Sequence, residues 1–451
     1  MNTTRYQFNY ANFFALTSVV IFFGIISRSI AKTPAALTEY LMIFLLLFFS
    51  IIYIAQSLRE QNDRAIIVYI FLIYLTFHSL GSMIYRPFTV DATVYEVFSF
   101  TLSEFRVSTL GYFLPLVFLP LALEQNEKVK KFLIVLLKIS IIYTFIEQIL
   151  SLMGLRTLFE AFYESAGIVS DNLVGRKSFG MYRVWGFTGS PQLLGVFHLY
   201  ALIIMYMNKD KLWVILSIIA VIASTSKTAY LILIILGVLY LLKNKNYLTL
   251  IFATLIVFGT AFQVNEFYNY LRHEQIEDYR GFQSIIQSIR GYFILSTNVI
   301  FYDTQELIRN GKVVIRDFSF LVETGPWVLF IEYFHNNPIE IMFGRGITYS
   351  FMQKNLLPLE FIPYQGTAGS DFYILMFAEQ YGLAGFIFFL LMFLLYPLYA
   401  FFKNDNYHSL VLVTYFVATL HYPPNVPKMM MLIVGYSIYN LYFIKERTQH
   451  E

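Results

Sequence analysis

The sequence predicts an all-α polytopic membrane protein of about twelve transmembrane helices, with one large outer loop between the ninth and tenth. Three observations carry this. First, 57% of the 451 residues are hydrophobic, 14% are charged and the mean hydropathy is +0.60; a soluble domain is about 25% charged. Second, apolar runs near the length of a bilayer crossing recur along most of the chain. Third, one long stretch from about Glu266 to Asp371 interrupts these runs and is rich in charged and polar residues. Irregular polar backbone is not satisfied in hydrocarbon, so this stretch belongs outside the lipid. At roughly a hundred residues it is far longer than an ordinary connection.

The apolar runs lie at about 11–30, 37–58, 65–85, 107–123, 131–153, 191–207, 211–225, 227–242, 246–264, 372–402, 407–421 and 427–444. Phe13 to Ile30 is long enough to span and follows one early cation, Arg5, so it reads as an uncleaved first helix. The runs at 211–225 and 407–421 are short, and 372–402 is long enough to continue past the membrane as a tilted helix. Three regions follow. Residues 1–264 hold helices one to nine with outer loops at 86–106 and 154–190. Residues 265–371 form the large outer loop. Residues 372–451 hold helices ten to twelve and a cytoplasmic tail.

Orientation follows from the basic residues of the short loops. With the N-terminus cytoplasmic, the cytoplasmic turns hold Arg59 and Arg64, then Lys128, Lys130 and Lys131, then Lys209 and Lys211. Lys243 and Lys245, Lys403, and finally Lys445 and Arg447 complete that side. The long segments fall on the other side, and there the cations are mostly arginine: Arg86, Arg106, Arg156, Arg176, Arg183, Arg272, Arg280, Arg290, Arg309, Arg316 and Arg345. Arginine is the better bidentate partner for phosphate, pyrophosphate and carboxylate, whereas lysine is a hydrated point charge suited to topology. Within the large loop, Arg280, Gln283, Gln287 and Arg290 share one helical face opposite Phe282, Ile285, Ile286, Ile289 and Phe293. That pattern fits an amphipathic helix lying on the membrane, or a surface helix packed on the span ends.

Three stretches could carry chemistry. The first is Tyr182-Arg183-Val184-Trp185-Gly186-Phe187-Thr188-Gly189-Ser190-Pro191-Gln192, which runs straight into a span with Arg176 and Lys177 close by. Arg183 just before a helix start suits an anion site, and equally suits a structural turn with an interfacial arginine. The second is Ser224-Thr225-Ser226-Lys227-Thr228, a tight outer hairpin in which Lys227 either meets a ligand or snorkels to water. The third closes the large loop with Phe343-Gly344-Arg345-Gly346, then Gly369-Ser370-Asp371 and Glu379-Gln380-Tyr381-Gly382-Leu383-Ala384-Gly385. Asp371 and Glu379 flank the entrance of the tenth span; a carboxylate there acts as a base or caps the helix.

Ionisable residues inside spans are few: Lys138, Glu147, His78, His198 and His421. Lys138 and Glu147 fall on opposite faces of one helix and do not pair. Glu147 lies toward the outer end, within reach of an outer arginine, and the histidines are placed to hydrogen-bond neighbouring helices. Several chemistries are excluded. There is no cysteine, hence no disulfide or thiolate site. There is no Walker loop for an ATP-driven pump, no Asp-x-Asp pair for metal-bound nucleotide sugars, and no metal-ligand spacing. The net charge of +3 does not suggest nucleic acid, and no two-fold internal repeat of transporter type is evident.

The three stretches, in this order, resemble the O-antigen polymerase and ligase superfamily of Wzy-type polymerases and lipid A-core ligases. The resemblance rests on Arg183, Gly189 and Pro191, on Ser226-Lys227, on Gly344-Arg345-Gly346 and on Gly382-Leu383-Ala384-Gly385, covering about residues 180–390. Lysine stands where the family's hairpin usually carries arginine, Gln192 replaces a common asparagine, and Ser370-Asp371 stands where the ligases place a His-Asn pair. The polymerase branch therefore fits better than the ligase branch.

The resemblance implies a GT-C-like, metal-independent glycosyltransferase without cofactors in the bacterial inner membrane, its active site facing the periplasm. It would polymerise undecaprenyl-pyrophosphate-linked oligosaccharide repeat units into O-antigen or capsular polysaccharide. Asp371, Arg183 and Arg345 are the expected catalytic residues. Arg176, Lys227, Arg280, Arg290 and Glu379 are expected to bind substrate. Besides the lipid-linked oligosaccharide and membrane lipids, a chain-length regulator and a flippase are the expected partners. The alternatives are a ligase moving glycan to lipid A-core and, in a different class, a lipid-linked oligosaccharide flippase. A flippase would line a path through its spans with cations, whereas this chain keeps them in outer loops.

Overall fold

The computed structural model describes residues 10–34, 36–46, 51–59, 63–85, 93–121, 123–167, 177–178, 181–249, 251–252, 338–344, 346, 373–404, 406–420 and 427–444. Most of these are helical, as the uniform apolar runs require: in hydrocarbon a helix satisfies its own backbone. Three described helices are long and apolar enough to cross a membrane: Asp63–Ile84, Gln125–Ser165 and Gln380–Asn404. A fourth is gained if α1 (Tyr10–Phe22) and α2 (Gly24–Ala31) count as one span, bent by 65° between them. Shorter apolar helices occupy Pro191–Met207, Lys211–Ala223, Thr228–Lys243 and His408–Thr419. The run 246–264 and the large loop fall almost wholly outside the described residues.

In chain order, α3 (Leu37–Leu45) and α4 (Ile51–Arg59) share the second apolar run, and α5 (Asp63–Tyr85) follows. The segment 86–106 carries a helix of its own, α6 (Val94–Glu104). Thr93 and Glu96 start it with a reciprocal capping box. The donors of that box hold the Glu96 carboxyl below its ordinary range. The fourth apolar run, read as a transmembrane α-helix, is instead a π turn at Phe105–Thr109 followed by a 3-10 helix at Leu110–Phe118. Pro115 lies within it and has no N–H to donate, so the regular α-helical ladder cannot run through. Then come α7 (Leu123–Leu150), α8 (Arg156–Ser165), the short antiparallel pair β1 (Lys177–Ser178) and β2 (Met181–Tyr182), and α9 (Pro191–Met207). The chain continues with α10 (Lys211–Ala223), α11 (Lys227–Lys243), α12 (Pro338–Phe343) and α13 (Tyr373–Leu390). It closes with α14 (Tyr396–Asn404), α15 (His408–Thr419) and α16 (Lys428–Ile438).

The bundle is organised on α9, which is buried on nearly every face between α7, α10, α11 and α15. A helix that is apolar all round has no face to offer water, so it takes the centre. The two ends of α9 define two ends of the bundle. At its C-terminal end, Tyr206 packs on Tyr240 and Tyr407, Lys243 lies over the rings of Phe401 and Tyr407, and Lys138 donates to Asp210 at 2.8 Å. The Lys138 ammonium holds the Asp210 carboxyl below its ordinary range. These are the lysine-bearing turns that the loop charges assign to one side. At the N-terminal end, Gln192 meets the start of α11 and the loop before α9 meets the outer end of α7. A buried aromatic layer of Phe71, Tyr112, Phe377, Phe389, Phe393 and Tyr415 joins α5, the 3-10 segment, α13 and α15.

Candidate functional site

The first candidate stretch is held by a carboxylate inside the bundle. Glu147, on the penultimate turn of α7, is 0% exposed. Past α7, Gly154 takes φ +89 in the π turn Ser151–Leu155, and the chain folds back so that Arg156, at the start of α8, faces Glu147. Arg156 Nη1 lies 3.2 Å from Glu147 Oε1, and the Tyr163 hydroxyl donates to Oε2 at 2.7 Å. The backbone N–H groups of Trp185 and Gly186 donate to the two oxygens at 3.0 Å each. Four donors thus meet one buried carboxylate, the condition under which a charge is tolerated away from water.

The same arrangement fixes Arg183. Its carbonyl accepts from Arg156 Nη2 at 3.1 Å. Gln148 faces Tyr182 with its amide turned to donate to the Tyr182 carbonyl at 3.0 Å and accept from its N–H at 3.2 Å. The backbone on both sides of Arg183 is therefore pinned to α7 and α8, while its side chain remains partly exposed. Arg156 Nε also pairs with Glu160 at 3.4 Å.

The second stretch docks on the first. Ser226 is the N-cap of α11, accepting from the Ala229 N–H at 3.3 Å, and its hydroxyl donates to the Gln192 carbonyl at 3.1 Å. Gly195, one turn into α9, makes this approach possible. A Cβ there would stand 2.5 Å from Ser226 Cβ and 2.6 Å from Ala229 Cβ. Lys227 is the first residue of α11, and its side chain lies outside the described residues.

The third stretch forms a separate knot on α5. The Gly346 N–H donates to the Gln380 carbonyl at 2.9 Å. Gly344 and Gly382 both take positive φ, and a Cβ on Gly382 would fall 2.3 Å from the Gly344 nitrogen. His78 and Tyr74 of α5 hydrogen-bond the carbonyls of Phe343 and Tyr381. Glu379 lies in α13, its side chain outside the described residues. Arg176, Arg280, Arg290, Arg345 and Asp371 all lie outside the described residues. The geometry therefore joins the Arg183 and Ser226 stretches and places the glycine knot on other helices.

Several expectations about embedded polar residues are met in detail. Glu147 finds an arginine, Arg156, and Lys138 pairs elsewhere, with Asp210. His198 Nε2 lies 2.9 Å from Thr144 Oγ1 of the neighbouring α7. His421 lies outside the described residues.

Sequence reasoning missed one group. The α1–α2 bend frames a cavity of 330 Å³, closed by the loop Phe187–Ser190 and the start of α16. Its charged lining is Arg28, Glu39 and Lys428. Lys428 is 5% exposed and donates to the Val107 carbonyl. The signal was present in the chain: Arg28 and Lys428 stand at those ends of their apolar runs where the loop charges give no topological reason for a cation. No protein-family model, curated protein or solved structure matches this chain.

Proposed function

We propose that this chain is a polysaccharide polymerase of the inner membrane. It joins undecaprenyl-pyrophosphate-linked oligosaccharide repeat units at the periplasmic face, without metal or cofactor. In this reading about twelve spans carry the chain, both termini are cytoplasmic and residues 265–371 form the periplasmic loop. The acceptor hydroxyl attacks the anomeric carbon of the growing chain. Its oxygen forms the new glycosidic bond, the bond to lipid pyrophosphate breaks, and the pyrophosphate leaves with the electron pair. The chemistry needs charge neutralisation on the leaving group and a base for the hydroxyl proton. Guanidinium groups serve the first need, with Arg183 and Arg345 foremost, and Asp371 is the base. Arg176, Lys227, Arg280, Arg290 and Glu379 take up the rest of the substrate.

The observation that carries this reading is the Arg183 stretch. An arginine that fits a phosphate clamp is fixed on one side by the Glu147–Arg156 pair and on the other by Gln148, beside the hairpin that the same resemblance requires. Preorganised cations stabilise developing charge more effectively than mobile ones. A deletion strain tests the function. Lipid A-core capped with a single repeat unit is expected. Absence of all O-antigen with accumulated lipid-linked polymer would instead mean ligation, and single units trapped on the cytoplasmic side would mean flipping.

A further inference from the structure

The cavity framed by the α1–α2 bend holds charges that the proposed reaction leaves unused. Arg28 projects from the last turn of α2, Glu39 from the first turn of α3 and Lys428 from the first turn of α16. Two cations face one acid, so the charged lining carries a positive excess. Glu39 interacts electrostatically with both Arg28 and Lys428. Among the described residues, no group accepts a hydrogen bond from the half-buried Arg28 guanidinium, which has five donors to place. Lys428 is almost wholly buried, donates to the Val107 carbonyl and has Glu104 as well as Glu39 acting on it, so it stands in the cavity wall as a held cation. The hydroxyls of Ser27, Thr33 and Ser190 line the same space, and its 330 Å³ lies within the range of small-ligand sites. A positive, hydroxyl-rich cavity with a guanidinium whose donors no described group accepts suits a small oxyanion, because guanidinium matches phosphate geometry bidentately.

We propose that this cavity takes a phosphate-class anion through Arg28 and Lys428, and that Glu39 is the internal counter-anion the ligand displaces. Only the source of the anion rests on the polymerase reading; the site itself stands on the cavity and its charges. With the cavity empty of ligand, the Glu39 charge offsets both cations in part, with Glu104 acting beside it on Lys428. When the anion enters, Glu39 becomes a like charge and competes with it. The sign of one substitution follows. Removing the Glu39 charge strengthens anion binding, whereas a purely structural carboxylate would lower stability and tighten nothing.

The test uses the full chain purified in detergent, titrated calorimetrically with inorganic pyrophosphate and with farnesyl pyrophosphate. Both are expected to bind. Arg28→Gln and Lys428→Gln should each weaken binding by about tenfold or more, the scale of one charge-assisted hydrogen bond. Glu39→Gln should tighten it by up to about fivefold, the scale of one partly exposed charge contact. If Arg28→Gln fails to fold, Arg28→Lys keeps the charge, and it should weaken binding because the bidentate geometry is lost. Tighter binding of farnesyl pyrophosphate assigns a lipid-borne anion to the site, and equal binding assigns a free one. The proposal is overturned if wild type binds neither probe, if both cation variants bind as wild type, or if Glu39→Gln fails to tighten. Chain growth in the deletion strain reads the polymerase function separately. Binding without chain growth keeps the site and removes the enzyme, and chain growth without binding does the reverse.

Discussion

The Glu147 carboxylate and the Arg156 guanidinium meet at 3.2 Å across a reversal of the chain, and between them they hold backbone groups of Arg183, Trp185 and Gly186. Neither side chain has to touch substrate for this to matter. Together they turn a glycine-containing loop into a fixed mount for Arg183.

Removing one partner leaves the other buried with only part of its compensation, Glu160 on Arg156 or three hydrogen-bond donors on Glu147, a loss of up to about 3–5 kcal/mol. Glu147→Gln and Arg156→Met should therefore each lower the melting temperature in detergent sharply. The double variant should lose little more than either single one, because the pair acts as a unit. Fully additive losses would show that the two residues stabilise the protein independently.

The contact between α9 and α11 makes a second, purely steric prediction. Gly195→Ala places a methyl 2.5 Å from Ser226 Cβ, and such overpacking costs about 1–3 kcal/mol. Ser226→Gly removes that Cβ while costing only a few tenths of a kcal/mol as an N-cap. The double variant should recover part of the loss in a thermal melt. A Gly195→Ala protein as stable as wild type would mean that the helices separate freely at this point.

Much of this architecture was readable from residue pattern, for physical reasons that also explain the gaps. Apolar runs report helices because hydrocarbon forces helices, so α5, α7 and α9 fall where the runs do. The same logic missed the 3-10 course of 110–118, since hydropathy carries no information about which helical ladder a proline permits. A buried carboxylate demands a partner, so an arginine for Glu147 was legible, although which arginine depended on the chain reversal at Gly154. Lys138 found Asp210, a turn residue far along the chain whose proximity no local pattern encodes. Arg28, Glu39 and Lys428 are far apart in the chain, and the cavity they line exists only through a 65° bend that no local pattern encodes.

The topology makes its own prediction. Reporter fusions after Lys245 and after Lys354 should report opposite sides of the membrane, the first cytoplasmic. The same side for both would remove the large outer loop from the account.

Asp371 is separable from a simple cap by one isosteric change. Asparagine caps a helix about as well as aspartate, so Asp371→Asn is nearly silent if capping is its only role. A general base contributes on the order of a hundredfold or more, and asparagine cannot accept the proton. Chain growth by the purified variant, at matched expression, should fall by at least about a hundredfold. Near-normal growth would leave Asp371 as a cap and move the base to Glu379 or a group on the substrate.

The most direct measurement reconstitutes the purified protein with undecaprenyl-pyrophosphate-linked repeat units and follows both polymer length and released lipid pyrophosphate. Wild type is expected to build a ladder with one lipid pyrophosphate released per bond formed. Arg183→Ala should abolish most of it at unchanged protein abundance, and Arg183→Lys should restore it only in part, since a point charge cannot clamp phosphate bidentately. A wild-type protein that forms no polymer, or an Arg183→Ala protein that polymerises at the full rate, would contradict the account.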